Sequence, residues 1–426
     1  MKEDIEMYVY VLDKDNNPLM PTTRFGKVRR LLKENKAKVI SRTPFVIKLL
    51  YNTVTHERQE INLGIDTGSK YIGAATIGNS KIYYQSETEL RTDIKTKMDR
   101  RREYRRTRRC RKTRYRKPRF LNRKNSTKLK RLPPSVRHKI QAHIDEIEFI
   151  KKILPISRLI LEVSQFDPHL MKNPKLLSDK IKKWGYQKGF NYSFASRRGA
   201  ILNRDKYQCQ YCKVKNTRFE VHHIIPKNKN GTDDESNLIT LCHDCHNKVH
   251  KDLITINKKP KKLNLKYATH MNIIRKYLLE KYPDAIETFG FVTKLNRDNL
   301  NLPKNHFIDA CVIASGGKTF KPNDILFRKK RVPKGDYQRT KGIRSEVSIP
   351  DGKISGFKKF DKVMYLNNVY FIKGRMNSGY CILMNIYGDT IKFEKPKTVK
   401  LEKCNRITSR NTILTDSIHL TTYAIA

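Results

Sequence analysis

The sequence predicts an α/β multidomain protein, and three observations carry that expectation. At 426 residues the chain has room for about three domains of ~150 residues each. Runs with strand alternation and runs with helical apolar spacing both recur, separated by Gly, Asn and Pro turns. The charge is large, +50 from 91 Lys and Arg against 41 Asp and Glu, and it is unevenly placed. Hydrophobic residues make up 38% of the chain, below the usual ~45–50%. A polyanion is the natural partner for such a charge, because each neutralised phosphate releases condensed counterions. No apolar run approaches the ~18 residues of a membrane span. The opening MKEDIEM is acidic where a secretory signal is basic. The expectation is a protein that stays inside the cell, with no membrane partner.

Residues 1–56 read as a small β/α module. YVYVL (8–12) is a strand, DKDNNP a turn, and FGKVRRLLKENK a helix capped by Thr23, with Val28, Leu31 and Leu32 inward; KVIS and PFVIKLLY follow as strands. Residues 57–90 hold three strands, INLGID, YIGAATIG and KIYYQ, whose short TGSK and GNS turns favour antiparallel neighbours.

Residues 91–131 carry 21 Lys and Arg against 3 acidic residues. Arg100, Arg101, Arg102, Arg105, Arg106, Arg108, Arg109, Arg111 and Arg114 lie in a stretch without Gly or Pro before Pro118. Arg and Lys are good helix formers, so a helix is expected. It would repel itself without a polyanion partner.

Within 132–200, VRHKIQAHIDEIEFIKKIL has helical spacing at Ile140, Ile144, Ile147 and Ile150, and Pro155 ends it. RLILEV (158–163) is a buried-strand candidate, followed by a polar connector with Gly185, Gly189 and Gly199. After a cysteine-bearing stretch (201–255), residues 256–317 contain a helix (267–282), a strand-like ETFGFVTKL (287–295) and an apolar helix, HFIDACVIAS (306–315). Residues 318–354 read as a basic linker. In 355–426 KVMYL, VYFIKG, YCILMNIY, TIKFE and VKLEK alternate as strands of a small β-barrel.

Cys209, Cys212, Cys242 and Cys245 form two CxxC pairs, the pattern of an intracellular zinc site. Four thiolates leave no open position for water, so the zinc would be structural. Cys110, Cys311, Cys381 and Cys404 show no pairing pattern. The 29 residues between Cys212 and Cys242 suffice for a β-hairpin. Alternation along RFEVHH places His222 and His223 on opposite faces, and His246 opens a helix after the last CxxC. A neutral imidazole can deprotonate water near pH 7; others can hold a divalent metal at a scissile phosphate. EVHHIIP, NGTDDESNL and LCHDCH together resemble the HNH family, the ββα-metal endonucleases. The resemblance implies His223 as general base, His222 and His246 facing one Mg²⁺, and Asn237 bracing the loop or the metal site. Glu220 is an alternative ligand.

Three distant segments each offer an acid in an apolar setting: Asp66 in LGIDTGSK, Glu162 in LILEVS, and Asp309 in HFIDACVIAS, with His306 one turn earlier. Such carboxylates are costly unless paired or metal-bound. Brought together they would demand divalent cations, and two Mg²⁺ can activate water and stabilise a leaving 3′ oxygen. GIDTG alone also suits a phosphate loop of the sugar-kinase and actin-like ATPases. The order of the pieces resembles the split RuvC nuclease of RNase H-like fold. With an arginine-rich bridge helix (91–131) after the first piece and the HNH module (201–255) between the second and third, it resembles the RuvC-plus-HNH effector nucleases of CRISPR systems. The module containing Pro18-Leu19-Met20-Pro21 resembles the PLMP module of the IscB family, transposon-encoded RNA-guided nucleases.

The resemblance implies an α/β multidomain fold with a PLMP module (1–56), RuvC pieces at 57–90, 132–200 and 256–317, and a C-terminal barrel (355–426) beside a short target-adjacent motif. It implies an RNA-guided double-stranded DNA endonuclease. Its HNH site would cut the guide-paired strand and its RuvC site the displaced strand. It also implies one structured guide RNA per protein, two Mg²⁺ in the RuvC site and a prokaryotic, nucleoid-associated setting. An RNA-independent junction or site endonuclease, and a non-catalytic RNA-binding transposon accessory protein, are the other function classes. The retained Asp66, Glu162, Asp309 and His223 argue against the last.

Overall fold

In the computed structural model the structure describes residues 7–53, 59–110, 132–167, 171, 194, 196–227, 231, 233–257, 265–333, 354–393 and 398–420. The chain divides into two compact units, residues 1–165 with 270–426, and residues 166–269.

The first unit opens with β1 (Tyr10–Leu12), α1 (Phe25–Lys33), β2 (Ala37–Arg42) and β3 (Phe45–Leu49). β1 runs parallel to β3 and β2 antiparallel to it. Val28 of α1 packs into Val9, Val11, Ala37, Ile47 and Leu49. The expected Thr23 cap is not formed. Arg24 is the N-cap, without a side-chain cap bond, and its N–H donates to the Thr22 hydroxyl at 3.2 Å.

Next come β4 (Asn62–Asp66), β5 (Tyr71–Gly78) and β6 (Lys81–Glu89), an antiparallel meander as expected. The arginine-rich helix α2 (Ile94–Cys110) follows, then α3 (Pro134–Ile153) and β7 (Arg158–Glu162), which lies parallel to β4. The chain then enters the second unit: α4 (Arg197–Arg204), β8 (Phe219–His223), β9 (Leu238–Cys242) and α5 (His243–His250), with β8 and β9 antiparallel. α6 (Lys266–Lys281) leads back to β10 (Ile286–Thr288), α7 (Gly290–Asn299) and α8 (His306–Ser315). ETFGFVTKL is therefore a three-residue strand followed by a helix. Short apolar runs do not separate the two by pattern, and here the buried residues of α7 are Thr293 and Arg297, one helical turn apart.

β11 (Ile325–Arg331) falls inside the stretch expected to be a basic linker. It pairs parallel with β6, and its charges are matched rather than free. Arg328 pairs with Glu87, Lys329 with Glu146, Lys330 with Glu89 and Arg331 with Asp145. Counting basic residues could not reveal partners ~180–240 residues away. β12 (Lys362–Tyr365), β13 (Asn368–Arg375), β14 (Tyr380–Met384), β15 (Val399–Lys400) and β16 (Asn405–Thr408) make an antiparallel sheet in the order β15-β14-β13-β12-β16, whose two ends do not pair among the described residues. It is an open sheet where a barrel was expected. The described residues of the TIKFE segment, 390–393, join it through a bridge at Thr390 and the Ile391 N–H donating to the Leu383 carbonyl at 3.0 Å. The last strand, β17 (Ile413–His419), crosses to pair antiparallel with β11.

The main sheet of the first unit thus has the order β10-β7-β4-β5-β6-β11-β17. Leu63, Ile65, Ile72, Ala74, Leu159 and Leu161 face a core shared with α3 and α6, built on Ile140, Ile147, Ile150, Ile274 and Leu278. Side chains alternate along a strand, so Gly64, Asp66, Gly73, Ala75 and Glu162 face the other way. There α8 lies almost on the backbone. A Cβ on Gly73 would sit 1.9 Å from the His306 carbonyl oxygen, and one on Gly64 2.4 Å from that of Ala310. These two glycines let a helix carrying His306 and Asp309 seat directly over the strand that ends in Asp66.

Candidate functional site

Asp66 and Glu162 are neighbours across the parallel β4–β7 pair, each at its strand's last position. Asp66 is buried, and its Oδ2 lies 2.6 Å from His306 Nδ1. Asp309, also buried, accepts from Arg297 Nη1 at 2.6 Å. The Thr293 hydroxyl donates to Glu162 Oε2, and the Thr67 hydroxyl to the Glu162 carbonyl. Three segments far apart in sequence therefore meet at one end of the sheet. Thr293 and Arg297, both on α7, were not anticipated. Nothing in a strand-like reading of 287–295 would have aimed them here.

The electrostatics report crowding. Burial pushes the Glu162 carboxyl up to about 7, and the nearby Asp66 and Asp309 charges add to it. Burial raises Asp66 as well, against the opposing pull of its His306 hydrogen bond. That same bond raises His306. Each carboxylate is held by its own neutral or cationic partner, and the three do not form a ready-made ligand cluster among the described residues. Oxygen ligands of this kind suit a hard divalent cation such as Mg²⁺. A raised acid pKa also fixes a pH effect. The native state holds the Glu162 proton that the unfolded chain loses near 4.5, so stability falls as pH rises from 4.5 to about 7. Thermal melts without added divalent cation should show this fall in the wild type, and Glu162→Gln should flatten it.

The second unit holds two further clusters. The Sγ atoms of Cys209, Cys212, Cys242 and Cys245 lie within 4.8 Å of one another. The set spans the turn before β8, the end of β9 and the first turn of α5, and this small unit packs around it with Phe219, Ile239 and Leu241. Ring nitrogens of His222, His246 and His250 likewise lie within 4.8 Å. His222 comes from β8, and the other two are one turn apart on α5. Burial pushes His222 down to about 4, helped by the His246 and His250 rings. It is therefore neutral near pH 7, as a metal ligand must be. Glu220 accepts His246 Nδ1 at 2.8 Å and His243 Nδ1 at 3.0 Å, so it orients rings rather than joining the cluster.

His223 points to the opposite face, as alternation requires. Its Nε2 lies 2.8 Å from Asp233 Oδ1, which fixes the tautomer with the proton on Nε2 and leaves the Nδ1 lone pair to accept. Lys227 and Arg197 steady Asp233 at 3.1 and 3.6 Å. A cleft of about 430 Å³ opens on His223, with Arg197, Arg198 and Arg218 in its wall. Asn237 is buried and clasps the Ile225 backbone from both sides, Nδ2 to the carbonyl at 3.0 Å and Oδ1 from the N–H at 2.8 Å. It braces the loop after β8.

The second unit is thus a hairpin followed by a helix, stapled by four cysteines and presenting imidazoles on both faces of one strand. Residues 209–252 match the HNH endonuclease family. The chain carries an HNH endonuclease domain. Residues 9–189 match the RRXRR protein family. Over 66 residues the chain is 35% identical to anaredoxin of Nostoc sp., covering 87% of that protein and 16% of its own length, and over that stretch it belongs to the same family. Among solved structures, Streptococcus thermophilus Cas9 in complex with the AGAA PAM and with AGGA PAM are similar at 11% and 12% identity, with TM-scores of 0.34 and 0.36. Each likeness covers 57% of this chain, which spans about a third (32%) of the Cas9 chain.

The HNH endonuclease domain supports a nuclease, and its metal chemistry can be tested against its donors. The four thiolates fit structural zinc. The three imidazoles fit a borderline first-row cation such as Zn²⁺ or Ni²⁺ better than Mg²⁺, which takes carboxylate, carbonyl and water oxygens. The expected Mg²⁺ on His222 and His246 thus meets a nitrogen site with a third member. His250 was missed, although its i, i+4 spacing from His246 was in plain view. Cys245→Ser should strip the zinc, loosen this domain to limited proteolysis and abolish its cutting. Zinc content and strand-resolved cleavage measure both effects.

Of the expected arginine interface, Arg100, Arg101, Arg102, Arg105 and Arg106 are exposed on α2. Arg108 and Arg109 belong to the same helix. Arg111 and Arg114 lie outside the described residues, as do Gly185 and Gly189. No helix among the described residues is long and apolar enough to cross a membrane.

Proposed function

We propose that this chain is an RNA-guided double-stranded DNA endonuclease of the IscB kind. The observation that carries the proposal is the pairing of two separate centres in one chain. An HNH domain lies between the segments that supply Glu162 and Asp309, and those segments meet Asp66 at one end of a single sheet. The strand order β6-β5-β4-β7-β10, with only β5 antiparallel to β4 at its centre, supports an RNase H-like, RuvC-type core. The match of residues 9–189 to the RRXRR family supports the same assignment.

In this account His223 takes a proton from water at Nδ1 while Asp233 holds its ring, and the cleft arginines bind the flanking phosphates. A divalent cation held by His222, His246 and His250 would stabilise the developing oxyanion charge. At the other centre Asp66, Glu162 and Asp309 would hold Mg²⁺, which supplies an activated water and stabilises the leaving oxygen. His306 orients Asp66, Thr293 orients Glu162, and Arg297 orients Asp309. The HNH site cuts the guide-paired strand and the carboxylate site cuts the displaced one.

The exposed arginines of α2 contact the phosphates of one structured guide RNA without reading its sequence. At the root of α2 a cleft of about 440 Å³ carries Lys359, Lys373 and Arg375 in its wall, beside Arg91, Lys97 and Lys330, which pair with Asp93 and Glu89 of the same wall; its net positive charge suits the same backbone. Guide pairing supplies specificity, and the C-terminal sheet meets a short motif beside the target. The test is to purify the chain from cells carrying its flanking locus and sequence the RNA that comes with it. One discrete, abundant RNA supports the proposal. Cutting of branched or specific DNA without any RNA would replace it with a junction or site endonuclease.

A further inference from the structure

Two phenyl rings stand in the open beside Glu162. Phe289 is 36% exposed and Phe291 73%. Their planes differ by 8° and their centroids lie 6.0 Å apart. Their place is set by the active end of the sheet. Thr288, just before Phe289, is the register partner of Glu162 on β7, and its carbonyl accepts the Val163 N–H at 2.9 Å. Between the two residues in sequence, a Cβ on Gly290 would lie 3.1 Å from Glu162 Oε1. One turn on, Thr293 bonds that carboxylate.

Packing does not explain the rings. α7 buries Thr293 and Arg297, while Phe291 and Leu295, four residues apart on the same face, are 73% and 61% exposed. Lys294 on that side is exposed as well. Clustered apolar groups left open to water mark an interaction surface. Parallel aromatic faces with a cation beside them, at the edge of a phosphodiester-cutting centre, match a nucleobase and its phosphate. A base inserted between the rings would need about 6.8 Å, twice the ~3.4 Å stacking rise. At 6.0 Å the pair offers an outer face and no slot.

We infer that Phe291, backed by Phe289, is a stacking platform for a base of single-stranded DNA entering the carboxylate site. This deepens the proposed function and rests on its assignment of that site. The platform tolerates any sequence, since every base has a π face. It holds the strand so that a backbone phosphate lies over Asp66 and Glu162. Phe291 is a positioning residue, and it touches the strand rather than the reacting atoms.

The test uses the full chain and a single-stranded deoxyoligonucleotide carrying 2-aminopurine, whose fluorescence falls when the base stacks. The wild type should quench it. Phe291→Ala should lose the quench and bind the oligonucleotide roughly tenfold more weakly, and Phe291→Trp should restore both. An unchanged quench and affinity in Phe291→Ala overturn the inference and leave the patch to a protein partner. Weaker binding with the quench intact also overturns it. Asp66→Ala separates the two levels. It should keep the quench and stop the cutting. If Asp66→Ala still cuts the displaced strand, the carboxylate assignment fails, while the Phe291 quench still stands or falls by itself.

Discussion

Asp66→Ala will leave an enzyme that nicks only the guide-paired strand. Asp66 ends the central β4, neighbours Glu162 in register, and is bonded by His306 from α8. In the proposed assignment, removing it takes one of three oxygen ligands, and it takes away the hydrogen-bond partner of His306. Several kcal/mol of charge stabilisation depend on that ligand set, so displaced-strand cutting should fall by about 10³-fold or more. A thermal melt of the alanine variant separates this loss from unfolding: a fall in displaced-strand cutting with guide-paired cutting and the melt retained places the effect at the carboxylate site. Displaced-strand cutting within tenfold of normal would remove Asp66 from the chemistry.

His223→Ala should do the reverse, sparing the displaced strand and slowing the guide-paired cut by about 10²–10⁴-fold, the usual worth of a positioned base. His223 is partly exposed at the mouth of the arginine-lined cleft, with Asp233 on its Nε2. Its loss opens no core cavity and leaves the four cysteines in place. Asp233→Asn should give a smaller deficit of the same sign, because it weakens the hold on the ring without removing the lone pair.

Much of both sites was legible because polar residues in apolar runs carry a cost that demands a reason. Asp66 in LGIDTG, Glu162 in LILEVS and Asp309 in HFIDACVIAS were each conspicuous for that reason, and the sheet brings all three to one end. The CxxC pairs and the alternation of His222 and His223 were equally plain. What escaped depended on distance along the chain. Lys329 and Arg331 read as free charge because Glu146 and Asp145 lie far upstream, and a strand of the main sheet was taken for a linker. Thr293 and Arg297 escaped because Phe289, Phe291 and Val292 looked like a strand, whereas the helix leaves those rings in solvent and turns its polar residues inward. The C-terminal sheet does not close among the described residues, and β17, outside the five strands expected there, pairs with β11 of the main sheet.

Under the proposed function, two centres in one chain each cut one strand of a duplex chosen by RNA. Its most direct test is strand-resolved cleavage of a duplex matched to the co-purified RNA, with each strand separately labelled, by wild type, Asp66→Ala and His223→Ala. The wild type should make a double-strand break, Asp66→Ala a nick in the guide-paired strand and His223→Ala a nick in the other strand, all lost when the RNA is mismatched. Loss of both nicks from either single substitution, or equal cutting of unmatched DNA, would contradict it.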